Sequence, residues 1–236
     1  MTHPSGCDPV IIYDDRVTTS SFRSAVLRNG VVIGDPLGAV LGFVAAHPDF
    51  SVSDPPRPAS FGEPDLRLAN RDGARVSAAQ IAAILERRHA IERSLREISP
   101  HASLAEAANS VPWLRMRQLF DAFADIHGVG FSKMTKALYR KRPALIPILD
   151  SIVQKYLEDD DLGAQAPFGE RALGLVRGYK RDLDRNQGAV HTVRQELARR
   201  GYELTEVRIL DLLILYAAAP APAGYRAGIP AARGRS

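Results

Sequence analysis

The chain has 236 residues, 45% hydrophobic and 25% charged, which is the balance of an ordinary globular protein long enough for one large domain or one domain with a small annexe. Its single cysteine, Cys7, excludes an internal disulfide and a four-cysteine iron–sulfur cluster, and no Cys/His spacing resembles a zinc site, so neither metal nor cofactor is expected. The net charge is +4, there is no secretory signal pattern, and the most apolar run (209–219) is too short to span a bilayer and contains Asp211, so a cytoplasmic chain without a membrane segment is expected.

In chain order, residues 1–16 read as a ragged start around the apolar patch Val10-Ile11-Ile12-Tyr13. A short helix is expected over 17–28, ending near Asn29-Gly30, with Val31-Val32-Ile33 extended. Leu37, Val40, Leu41 and Val44 recur at helical spacing until His47-Pro48. Ser51 to Pro64 is proline-rich and aperiodic, so residues 1–69 together read as a loosely ordered N-terminal appendage.

From Ser77 onward the helical signals strengthen, and residues 70–218 read as one mainly helical, all-α domain. Ser77 suits the N-cap of a helix that carries Ile81, Ile84, Leu85 and Ile91 on one side, interrupted at Ser99-Pro100. A short helical run near Leu104 leads to Val111-Pro112, where the proline can open the next helix at no cost in hydrogen bonds. That helix runs through Trp113, Met116, Phe120, Phe123 and Ile126 and stops at Gly128, with Trp113 and Phe120 read as core. Another is expected from Phe131 to Lys141, and a further one from Asp150 to Leu157. The acidic loop Glu158-Asp159-Asp160-Asp161 precedes helices at about 167–184, 189–199 and 204–218. The tail 219–236, rich in Ala, Pro, Gly and Arg, reads as disordered.

The chemistry concentrates at the helix-hairpin-helix expected over 112–142. An apolar helix ends in Gly128-Val129-Gly130 and a new helix begins at once. Glycines let the chain reverse within a few residues and let another backbone come close. The first amides of the second helix have no internal acceptor, and the helix dipole adds positive charge there, an environment that suits a phosphate oxygen. From His127 to Arg142 there are five basic side chains (Lys133, Lys136, Arg140, Lys141, Arg142) and no acidic one. Lys133, Lys136 and Arg140 fall on one stripe of the second helix, with Phe131, Met134 and Leu138 on a neighbouring stripe that can pack inward. A dinucleotide-binding loop is excluded, because a helix precedes the glycines and Lys133 stands where the third glycine belongs; no Walker motif occurs. Gly128, Val129, Gly130, Ser132, Lys133, Lys136 and Arg140 are therefore the candidate nucleic-acid-binding residues, contacting DNA phosphates with little sequence preference.

This G-V-G turn, a helix, a proline-containing connection and an aspartate opening the next helix resemble the helix-hairpin-helix DNA glycosylase superfamily. The resemblance implies a glycosylase-like helical domain in which the hairpin holds the DNA backbone. It also implies that an aspartate assists cleavage of the glycosidic bond. Superposing the hairpins puts Ser132 at the family's lysine-or-serine position and Asp150, eighteen residues later, at the catalytic aspartate. Serine at position 132 argues against imine-forming lyase chemistry there, and Ile152 stands where the family has histidine. A more specific resemblance covers roughly Asn70 to Tyr216. There the pattern G-V-G…T-K-x-L…K-R-P-x-L-I-P-I-x-D-S-x-V is similar to a bacterial family known only as a domain of unknown function.

Structural roles compete with the functional ones. An aspartate after Pro147 that opens a helix also reads as an N-cap. Asp211, inside an apolar run, is costly unless paired, with Arg208 or Arg142 as the candidate partner. The histidines show no ligand spacing, and His127 reads as packing beside the hairpin. Two functions stand open: a DNA-backbone binder with a glycosylase-like repair activity at Asp150, or a non-enzymatic scaffold that keeps the hairpin for protein interaction and whose acidic loop 158–161 masks the basic block or binds a basic partner.

Overall fold

A helix that is apolar all round has to be covered on every side, and the chain contains one. In α10 (Glu206–Ala218) every residue from Val207 to Ile214 is buried. Its neighbours are α1 (Pro36–Ala46), α7 (Ser151–Tyr156), α8 (Phe168–Arg185) and α9 (Gln187–Arg199). The computed structural model describes residues 23–46 and 58–219. Among these it is mainly helical, with α2 (Glu63–Arg71), α3 (Ala78–Glu86), α4 (Arg88–Arg96), α5 (Trp113–Asp121) and α6 (Phe131–Leu138) completing ten α-helices. The only sheet among the described residues is an antiparallel pair, β1 (Ala25–Val26) with β2 (Val32–Ile33).

The segment 23–46, expected as part of a loose appendage, is packed into this core. Ala25, Leu27, Ile33, Leu37, Val40 and Val44 are buried with the residues of the helical domain. A short strand with a free edge needs a partner for its backbone. Here Asn186 supplies it, accepting from the Val26 amide (2.7 Å) and donating to the Val26 carbonyl (3.0 Å). The helix expected up to residue 28 is thus replaced, over its described part, by a strand and turn; its partner lies 160 positions away, beyond any local pattern. The ragged start, half of the proline-rich connection and nearly all of the tail lie outside the described residues.

Other boundaries also moved. The helix capped by Ser77, whose hydroxyl accepts from the Gln80 amide, breaks at Arg87 into α3 and α4. The run near Leu104 forms turns, and Pro112 is the residue before α5 rather than its first helical position. α5 ends at Asp121, seven residues before Gly128, and the chain then turns through Asp125 at φ +60°. α2 carries no pattern the sequence reading used. It is anchored by ion pairs to the end of α6, Lys141–Asp65 (2.7 Å) and Arg140–Asp72 (3.1 Å). The acidic loop packs on α8, where a Cβ at Gly178 would lie 1.9 Å from the Asp160 carboxylate, so only glycine admits it. Asp160 pairs there with Arg28 and Arg181, and Asp161 with Arg171 (2.7 Å). These carboxylates are committed within the chain, which removes most of the loop's capacity to mask a basic patch.

Arg142 is the largest fully buried side chain and has no carboxylate partner among the described residues. Its guanidinium instead donates to the carbonyls of Pro58 (2.8 Å), Lys141 (2.6 Å), Ile98 (2.7 Å) and Leu95. Leu95 lies in the last turn of α4 and Ile98 just beyond its C-cap Glu97, so the guanidinium closes the end of that helix. Burial accordingly lowers its pKa. Arg142→Ala strands several buried carbonyls at once, so a loss of at least about 3 kcal/mol of unfolding free energy is expected in urea denaturation.

Candidate nucleic-acid interface

The hairpin is built by two glycines that differ in kind. Gly128 has φ +70°, and a Cβ there would sit 2.4 Å from Nε2 of Gln80, so both its conformation and its surroundings require glycine. Val129 is buried and anchors the turn. Gly130 is exposed, with φ −96° and ψ −173°, and a Cβ built on it meets nothing within 4 Å. Nothing inside the protein demands a glycine at 130. Gly130 is the N-cap of α6 and offers no side-chain cap; among the described residues the amides of Phe131, Ser132 and Lys133 have no acceptor. The open face of the turn is a row of unpaired N–H donors beside two exposed glycines, an arrangement that can hold an anion.

Gln80 locks this turn to α3. Its side chain donates to the His127 carbonyl (3.2 Å) and accepts from the Lys133 ammonium (2.7 Å) and the Ser77 amide (3.1 Å). Lys133 is therefore held beside the hairpin, with no carboxylate partner among the described residues. The rest of the basic block divides differently from the stripe expected. Arg140 makes a two-pronged bond to Asp72 (3.1 and 3.2 Å), and Asp72 also accepts from the Tyr139 hydroxyl (2.7 Å). Lys141 and Arg142 are buried in the contacts described above. Lys136 points away from the hairpin face: its ammonium lies 3.6 Å from where a Gly73 Cβ would be, and it lines a cavity. Ser132 is half-buried in the first turn of α6.

The cavity measures about 460 Å³, and its charged lining is Arg71, Asp72, Lys136, Asp150, Arg208 and Asp211. Asp150 is indeed the N-cap of α7, but a single oxygen does the capping: Oδ1 accepts from the amides of Ile152 and Val153, both at 3.0 Å. Oδ2 has no partner among the described residues. Asp150 thus fills its structural role and still presents a carboxylate oxygen at the cavity.

The extended segment that carries Asp150 is held by side chains. Thr135, buried in α6, donates its hydroxyl to the Phe131 carbonyl (2.8 Å) and accepts from the Leu149 amide (3.0 Å). Gln154 donates to the Leu149 carbonyl (2.7 Å), and Asp211 accepts from the Ile148 amide (3.4 Å). Of the two partners expected for Asp211, Arg208 is the one found, at 3.3 Å. The Tyr179 hydroxyl beside it gives its proton to the Val207 carbonyl (2.5 Å), so Oδ1 of Asp211 is left buried without a partner. Burial raises the Asp211 carboxyl to about 6, against the pull of Arg208. Sequence reasoning missed Thr135, Gln154, Gln80 and Arg71. Two left a signal: Thr135, a β-branched hydroxyl in a helix interior, where such residues bond back to the preceding turn, and Gln80, three residues after Ser77 in a capping-box pattern.

A model of the family of unknown function DUF6308 matches residues 56–217, and the chain belongs to that family. No curated protein and no solved structure matches it. Among the described residues no helix is long and apolar enough to cross a membrane, and no group of His, Cys, Asp and Glu is placed to hold a metal ion.

Two outcomes follow from this packing. Thr135→Val keeps the shape but leaves the Leu149 amide buried and unmade, which should cost about 1–3 kcal/mol in chemical denaturation. The native state also holds the Asp211 proton more tightly than the unfolded chain does. Native protein binds the extra proton between pH about 4 and about 6, so stability falls as pH rises through that window and levels off above it. Asp211→Asn should flatten this part of the stability–pH curve.

Proposed function

We propose that the chain grips a nucleic-acid backbone, with duplex DNA as the partner, on the exposed face of the hairpin formed by Gly128, Val129, Gly130, Ser132 and Lys133. The observation that carries this reading is Gly130. Neither its dihedral angles nor its neighbours within the protein need glycine, so the space above it is of use to something that approaches from outside. The unpaired amides of α6 would meet one phosphate, and the Lys133 ammonium, held by Gln80, an adjacent one. Contacts of this kind position a backbone without reading bases. Arg140, committed to Asp72, takes no direct part.

The likeness to helix-hairpin-helix glycosylases supplies an enzymatic extension. Asp150 Oδ2 beside the cavity would stabilise positive charge that develops on a sugar as its base departs, or activate the attacking water. The alternative of a protein-interaction scaffold has lost the acidic loop as its specific support, since Asp160 and Asp161 are paired with arginines of the same chain.

One phosphate neutralised by Lys133 gives an expected slope of log K against log salt of about −0.9 for duplex DNA, since the uncharged amides add none. Gly130→Asp tests the site without harming the fold. Aspartate is a better N-cap than glycine and sits at the positive end of the helix dipole, so thermal stability should hold or rise. Its carboxylate would occupy the α6 amides and repel phosphate, and binding in a low-salt titration should drop at least about tenfold. Unchanged binding by Gly130→Asp would overturn the reading. For the enzymatic extension, Asp150→Asn keeps the cap and should retain folding and DNA binding while abolishing release of damaged bases from lesion-containing duplexes; a parent protein that releases none would remove the extension and leave the binder.

A further inference from the structure

The cavity beside Asp150 has a charge pattern that the hairpin does not explain. Asp72 is matched by Arg140 and Asp211 by Arg208, so those four charges are balanced within the protein. What remains is Arg71 and Lys136, neither of which has a hydrogen bond or ion pair among the described residues, and the outward oxygen Oδ2 of Asp150. Two uncompensated cations lining one cavity call for an anion of comparable charge. Lys136 cannot find it on the hairpin face, because its ammonium packs over Gly73 at the end of α2. Its apolar lining is Phe43, Ile148, Val153 and Leu215. The cations thus suit a phosphate, one oxygen suits a hydroxyl donor, and the apolar side chains suit a flat apolar body.

We infer that this cavity is a phosphomonoester site that takes a nucleoside monophosphate unit, with the phosphate on Lys136 and Arg71, a sugar hydroxyl on Asp150 Oδ2 and the base against Phe43 and Leu215. A terminal phosphate is favoured over a phosphodiester for two reasons. It carries close to two negative charges at neutral pH, matching two cations. A pocket also admits a chain end more readily than a strand that must pass through. The unit is either a free nucleotide or the phosphorylated end of a strand, since both present the same chemistry. Phe43 belongs to α1, which precedes the residues matched by the family, so part of the apolar lining is supplied by the N-terminal segment. The inference does not rest on the hairpin reading.

Calorimetric titration of the full chain with adenosine 5′-monophosphate and with adenosine, alongside short duplexes bearing 5′-phosphate or 5′-hydroxyl ends, tests it. The nucleotide should bind at least tenfold more tightly than the nucleoside, or the phosphorylated duplex at least tenfold more tightly than its hydroxyl counterpart. The first result names a free nucleotide as the source and the second a strand end. Either preference should vanish in Lys136→Ala and in Arg71→Ala, and survive in Lys155→Ala, which removes an equivalent charge elsewhere. Arg71 is exposed at the end of its helix, so its variant reads the site even if Lys136→Ala fails to fold. Absence of both preferences, or their persistence in the Arg71 variant, overturns the inference. A covalently closed circular duplex has no end, so its binding reports on the hairpin alone and separates failure of one site from failure of the other.

Discussion

A buried extended segment with no neighbouring strand must find hydrogen-bond partners among side chains, because an unpaired amide in the interior costs more than most single contacts return. Residues 146–150 are such a segment, entered through a turn at 143–145, and the structure around the cavity follows from how its needs are met. Pro143 and Pro147 remove two amides outright. Leu145 and Ile146 donate to the Arg142 carbonyl, Ile148 to Asp211 and Leu149 to Thr135. The carbonyls of Pro143, Ala144 and Leu149 accept from Thr205, the Leu104 amide and Gln154. The partners come from α6, α7, α10 and the loops before them, so the segment ties those elements together. It delivers Asp150 to the cavity in a fixed position.

The same economy governs the charges. Lys133, Lys136, Arg140, Lys141 and Arg142 look alike in sequence, yet only Lys133 serves the hairpin. Arg140 and Lys141 hold α2 through Asp72 and Asp65, and Arg142 closes the end of α4 by donating to the carbonyls of Leu95 and, just past the helix, Ile98. A guanidinium can satisfy several carbonyls at once with its fixed fork of donors, which is why an arginine without a carboxylate can sit in this core. Lys136 faces the cavity with Arg71. Two separate anion-attracting surfaces result, an open turn at the start of α6 and a pocket further along the same short helix.

The helical class, the order of most helices, the capping by Ser77 and Asp150 and the inward stripe of α6 were legible because each rests on contacts within a few residues. Val31-Val32-Ile33 was legible as extended, but its hairpin partner was not: Ala25-Val26 is too short to show alternation. Breaks at Arg87 and after Asp121 were hidden because apolar residues recur across them at near-helical spacing. α2 was missed because it is polar on most of its surface and held by two ion pairs with residues about 70 positions away.

For the site, sequence alone determined the G-V-G turn, the donors at the start of the helix after it, and an aspartate at the opening of α7. Those are properties of backbone geometry and of near neighbours, which residue order dictates. Which cations remain available was decided only in three dimensions. The carboxylates that neutralise Arg140 and Lys141 are Asp72 and Asp65 at α2, at sequence separations that no local pattern encodes, whereas Arg208 pairs with Asp211 within one turn of α10. The cavity likewise exists only where α1, α2, α6, α7 and α10 meet. Its walls are a result of packing, and packing is set by which apolar faces have to cover one another rather than by any motif along the chain.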